Sequence, residues 1–123
     1  MGEKLILSTL PKTWIFDLDG TVLKHNGYKL NGKDTILAGA VEFLRDLPAE
    51  DKIVIFTSRT DEYRQMTLSF LEESGIRFDE ILFNMPMGER IVVNDRKPSG
   101  INMSVAVNMD RDKFEMPDII RET

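Results

Sequence analysis

The sequence predicts an α/β domain built on a central, mainly parallel sheet, and three observations carry that reading. Apolar runs at Trp14 to Phe16, Ile53 to Phe56 and Ile91 to Val93 are continuous rather than alternating, the pattern of strands covered on both faces. Between them lie stretches with apolar residues at helical spacing, so strand and helix alternate along the chain. Each run stops abruptly in polar residues, at Asp17, Thr57 and Asn94, and in an open α/β sheet such strand ends share one edge.

Taken in order, the segment before Leu10-Pro11-Lys12 holds the short run Leu5-Ile6-Leu7, an extra edge strand or a loosely packed arm. Pro11 sets off a strand over residues 13 to 18. From Gly20 to Asp34 aliphatic residues thin out, and Gly27 and Asn31-Gly32 are turn signals, which reads as a hairpin-like flap beside the strand's end. Lys24, His25, Tyr28 and Lys29 sit in that flap, where solvated loop positions compete with contact to a bound molecule. Leu37, Val41, Leu44 and Leu47 recur at helical spacing with Ala40 on the same side, and Pro48 ends the run. That stripe is packing surface.

Ile53 to Phe56 is the second central strand, closed by Thr57-Ser58-Arg59. Residues 60 to 74 form a second helix with Tyr63, Met66, Phe70 and Leu71 on one side, and Gly75 is placed to end it. Strands are expected at Glu80 to Phe83, Ile91 to Val93 and Ser104 to Val107, with a weak final segment near Phe114 to Ile120. Right-handed crossovers would join the parallel strands.

Composition narrows the classes. A chain of 123 residues suits one domain, residues 1 to 123, with one core. With 41% hydrophobic and 30% charged residues it is too apolar for disorder and too charged for a membrane protein. No run reaches the roughly 18 apolar residues of a membrane span, and Met1 to Leu10 lacks the pattern of a signal peptide. The absence of cysteine removes disulfides and thiolate metal sites and is compatible with a reducing cytoplasm, the expected location. A net charge of -5 supplies no general field for nucleic acid, so a nucleic-acid partner is disfavoured.

The chemistry concentrates in Asp17-Leu18-Asp19-Gly20-Thr21. Residues two apart in an extended chain point the same way, so Asp17 and Asp19 are expected to face one small volume past the strand's end. Two like charges held so close call for a cation or a phosphate-binding frame. That suits metal-assisted phosphoryl transfer, with Asp17 as nucleophile and Asp19 passing a proton to the leaving oxygen and later taking one from water. The Thr57 hydroxyl, with the amides of Ser58 and Arg59, could hold a phosphoryl oxygen; helix capping by Ser58 or Thr60 is the plainer role. Arg59 could reach a substrate anion or neutralise neighbouring acids. His25 is the only histidine and cannot make a metal cluster by itself.

These residues resemble the haloacid dehalogenase superfamily, whose first motif is Asp-x-Asp-Gly-Thr after a hydrophobic strand. Thr57 matches the second motif, and Asp95 resembles the acid of the fourth. The likeness covers residues 13 to 107. It implies a Rossmann-like three-layer sandwich with a central, mainly parallel sheet, and Mg²⁺ held by Asp17, the backbone oxygen of Asp19, and Asp95. It also implies that Gly20, Thr57, Ser58 and Arg59 meet the substrate. The third-motif lysine has no plain counterpart: Asn84 to Gly88 stands near its place, with Lys97, Arg90 and Arg96 as the available cations.

The 40 residues from Asp17 to Thr57 leave no room for a cap domain, so the open site is expected to take a sugar phosphate, a nucleotide or a larger phosphorylated molecule, unless subunits of a homo-oligomer cover one another. Within the superfamily the chain looks most like small uncapped phosphatases of capsule or other surface-sugar biosynthesis. Two other classes compete: a phosphate or sugar-phosphate binding module without turnover, and a phosphorylated receiver domain. The receiver is disfavoured because its aspartate would end the third strand, where Asn84 stands.

Overall fold

The computed structural model describes residues 3 to 122; Met1, Gly2 and Thr123, the ends of the predicted domain, lie outside them. Three parallel strands, β2 (Thr13–Asp17), β3 (Lys52–Phe56) and β4 (Glu80–Leu82), form the central sheet in the order β2-β3-β4. Asp17 lies opposite Phe56, and Phe56 opposite Leu82, so the three strands end together. The chain ends make a second, two-stranded parallel sheet from β1 (Lys4–Leu7) and β5 (Asp118–Arg121). Thus the N-terminal segment is a strand, and its partner is the weak final segment.

The crossovers carry the helices. Helix α2 (Ala40–Arg45) joins β2 to β3, and a 3₁₀ turn (Asp61–Tyr63) runs into α3 (Arg64–Glu73) before β4. Strand order advances in one direction, so right-handed connections lay both helices on the same face of the sheet. On that face Phe16, Ile53 and Ile55 form the core with Leu44, Leu47 and Leu71. The Arg77 guanidinium donates to the carbonyls of Leu44, Leu47, Pro48 and Asp51, closing the end of α2 where its own backbone leaves acceptors unpaired. Asp51 accepts from the Lys12 amide and the Trp14 indole, which aligns the starts of β2 and β3.

The opposite face differs from expectation. Ile15 on β2 is 48% exposed and Leu82 on β4 is 39% exposed, so among the described residues this side is only partly covered, and the structure is α/β with small parallel sheets rather than a complete three-layer sandwich. Ile91 to Val93 and Ser104 to Val107 are not strands: Ile91 is 82% exposed, Val93 is 90% exposed, and the only pairing within 91 to 107 is an isolated bridge between Arg96 and Asn102. A β-branched run predicts a buried strand, but such residues favour a strand only where a neighbouring strand and a cover receive them. Here the outer edge of β2 is left free.

The flap also departs from a simple hairpin. Its base is hairpin-like, with Lys24 N–H donating to Thr35 O, Leu37 N–H to Val22 O, and an antiparallel bridge between Leu23 and Ile36. Its tip is a one-turn helix, α1 (Gly27–Leu30), entered through Asn26 at φ 55°.

Burial assigns different costs to these segments. Ile55→Ala should lose about 2–5 kcal/mol in urea denaturation, whereas Val93→Ala should stay within about 0.5 kcal/mol. Similar losses for both would mean that residues 91 to 93 are packed in solution.

Candidate active site

Asp17 is the last residue of β2, and after it the chain turns on itself. The Leu18 carbonyl accepts the amides of Thr21, Val22 and Leu23, while the Leu18 side chain is fully buried. Gly20 sits at φ +88°, and a Cβ there would come within 3.3 Å of Arg111 Cγ. The Asp112 amide donates to Gly20 O, and the Asp112 carboxylate accepts the His25 amide at 2.7 Å. Residues near the C-terminus therefore hold the acidic turn. Phe114 continues the attachment, packing on Phe16 and Phe43 with ring centroids 6.4 and 5.7 Å away.

Each of the two acids meets its own guanidinium. Arg90 Nη1 donates to Asp17 Oδ1 at 2.9 Å, and Thr21 Oγ1 donates to Asp17 Oδ2 at 3.3 Å. The Asp17 side chain remains 40% exposed, so an incoming molecule can reach it. Asp19 is gripped side-on by Arg59, with Nε donating to Oδ2 at 3.1 Å and Nη2 to Oδ1 at 2.8 Å. This fork geometry suits a carboxylate.

Arg59 also holds Asp34, through Nη2 to Oδ1 at 2.7 Å and Nη1 to Oδ2 at 3.1 Å, and it donates from Nη1 to Thr67 Oγ1 at 2.8 Å. These bonds use every N–H the guanidinium has. The Tyr28 ring lies over it, 3.9 Å from Cζ to the centroid, and is itself braced edge-on by Tyr63. Burial works against the charged form of Arg59, but the hydrogen bonds and charges of Asp19 and Asp34 outweigh it and raise its pKa above the ordinary arginine value. Burial, aided by the Asp19 charge, likewise raises the pKa of the Tyr28 phenol.

The other predicted residues take varied positions. Thr57 is buried and its Oγ1 accepts the Arg59 amide at 3.1 Å, so it shapes the loop that delivers Arg59. Ser58 is half-buried, its hydroxyl 3.5 Å from Pro86 O. Arg59 is 3% exposed with its donors committed, a residue that orders acids rather than one open to substrate. Lys97 lies in a turn closed by Gly100 N–H to Lys97 O, and its own amide donates to Ile101 O. Asp95 shares an open depression with Asn94, Arg96, Asn102, Met103 and Ser104, and its carboxylate accepts from Asn94.

Of the three candidate cations, Arg90 is the one whose guanidinium bonds to Asp17, and Arg96 bonds to Asn102 instead. Tyr28, a candidate for substrate contact from its place in the flap, stacks on Arg59. Asp34 and Thr67 join the site only in the fold: an acid in a polar flap and a threonine within a helix carry no local signal.

Magnesium asks for several hard oxygen ligands around one point. Among the described residues no three acids or histidines gather where they could hold a metal ion. The carboxylate oxygens of Asp17 and Asp19 are hydrogen-bonded within the chain, and Asp95 belongs to the exposed segment. The set that the resemblance implies, Asp17, the backbone oxygen of Asp19 and Asp95, would bring only two acidic side chains to a metal and so is not a group of that kind. The chain's own groups instead offer an accessible carboxylate under one cation, beside a second carboxylate fixed by another.

No protein-family model matches the chain, and no curated protein or solved structure matches it either.

Gly20→Ala should cost about 1–2 kcal/mol in thermal or denaturant unfolding, because an L side chain is strained at that φ. Gly88, with open space around it, should accept alanine with little change.

Proposed function

We propose that this protein is a phosphomonoester hydrolase of the uncapped haloacid dehalogenase type, working through an aspartyl-phosphate on Asp17. One observation carries the reading: the half-exposed Asp17 carboxylate at the end of β2, with Arg90 bonded to one oxygen and Thr21 to the other. An attacking oxygen of Asp17 forms a bond to phosphorus as the bond to the leaving alcohol breaks, and Asp19, which enters this step in its acid form, gives that alcohol its proton and is left as the carboxylate. Water then attacks the aspartyl-phosphate, Asp19 takes a proton from it, and phosphate leaves as Asp17 is restored. Arg90 supplies the positive charge that the equatorial oxygens need while the phosphoryl group transfers.

The substrate class is a sugar phosphate, a nucleotide or a larger phosphorylated molecule, met by a site with no cap domain. Mg²⁺ enters this proposal as the cation the resemblance implies, and no step above is routed through it. No helix among the described residues is long and apolar enough to cross a membrane. The lack of cysteine supports the cytoplasm as the proposed location.

A second reading, a phosphate-binding module without turnover, is favoured because the hydrogen-bond partners of Asp17 and Asp19 are Arg90, Thr21 and Arg59 and include neither Asp95 nor Lys97. The experiment that separates them is phosphate release from p-nitrophenyl phosphate and a panel of sugar phosphates and nucleotides, with added Mg²⁺ or with EDTA. Release is expected, and Asp17→Asn should abolish it with the fold intact; near-normal turnover in that variant would sink the mechanism. Arg90→Ala should lower kcat by about 10²–10³, the usual loss when one stabilising donor is removed. Saturable phosphate binding without release would decide for the binding module.

A further inference from the structure

We infer that Asp34 is a positioning residue that acts through Arg59, holding the Asp19 carboxylate for proton transfer and seating the flap of residues 20 to 36 on the core. The inference rests on the hydrolase reading for its catalytic half and on geometry alone for the flap. Asp34 has a side chain with 0% exposure, so it cannot touch a substrate. Its partner Arg59 is 1% exposed at the side chain and reaches Asp19 with the same Nη2 that reaches Asp34. A guanidinium is planar, so fixing two of its edges fixes the third. Asp34 and Thr67 therefore set the plane in which Nε and Nη2 present themselves to Asp19.

The same bonds cross element boundaries. Asp34 belongs to the flap, Arg59 to the loop after β3, and Thr67 to α3. Tyr28 covers the other face of Arg59 from the flap's tip. The flap thus contributes a carboxylate and a ring to one buried cation, and its seat and the aim of Asp19 are a single arrangement.

The leaving-group dependence of Asp34→Asn tests the catalytic half. In the first step the P–O bond to the alcohol breaks and the Asp19 proton goes to the departing oxygen. An alkyl phosphate needs that proton, whereas dinitrophenyl phosphate, whose leaving group is stable as an anion, does not. The kcat/KM of glycerol phosphate should fall roughly tenfold to a hundredfold, part of what a general acid contributes, while that of dinitrophenyl phosphate falls less than about threefold. A role in stability alone would lower both equally, and equal losses, or none, overturn the positioning role.

Trypsin cleavage at the exposed flap residues Lys24, Lys29 and Lys33, with hydrogen exchange over residues 22 to 36, reads the seat without any activity. Both should accelerate in Asp34→Asn but not in Asp46→Asn, which alters an exposed ion pair with Arg45. Unchanged cleavage and exchange overturn the seat. If the unmodified protein releases phosphate from neither ester, the hydrolase reading fails and the positioning role with it, and the flap measurements still decide the other half. Should Asp34→Asn not fold, Thr67→Val removes one acceptor at nearly constant volume, and the same contrasts are expected at smaller size.

Discussion

A single buried guanidinium organises this molecule. Burying a charge is expensive unless partners surround it, and Arg59 meets that condition with two carboxylates, a hydroxyl and an aromatic face. The partners come from the turn after β2, from the flap and from α3, so the cation ties together by polar bonds the segments that Leu18, Val22, Leu23 and Leu71 also join in the hydrophobic core. Removing Arg59 would leave Asp34 a buried carboxylate without its cation, and removing Asp34 would leave Arg59 one carboxylate short. The arrangement is consequently cooperative, and it fixes geometry more than it adds stability.

The sheet explains why the site looks as it does. With strand order advancing one way, both helices lie over one face and the three strand ends line up along one edge. The other face is only partly covered, and the segment from 86 to 107 adds no strand to the sheet. What that segment contributes to the candidate site is one side chain, Arg90. The chain's far end contributes more: Asp112 and Phe114 hold the acidic turn and the first central strand in place.

Two acids separated by one residue have been given different surroundings. Asp17 is open to solvent under a partly exposed arginine, and Asp19 is drawn back into a filled network. Such a division, one carboxylate accessible and the other fixed, lets two identical side chains take different roles in proton and phosphoryl transfer. Local backbone alone could not do this, since both acids start from the same short turn.

The sequence by itself determined the parallel α/β core of β2, β3 and β4, the two helices between them, and the nomination of Asp17, Asp19, Thr57 and Arg59 at adjacent strand ends. Those features follow from hydrophobic period and from abrupt polar endings, which are local signals. Only the tertiary structure decided that residues 91 to 107 would stay out of the sheet, that β1 would pair with β5, and that Arg59 would clasp Asp19 and Asp34. Those outcomes depend on whether a distant partner is present: a β-branched run needs a neighbouring strand, and a buried arginine needs acids 40 and 25 residues away. No window of sequence contains that information, because these bonds are made across the fold and leave no period in the chain.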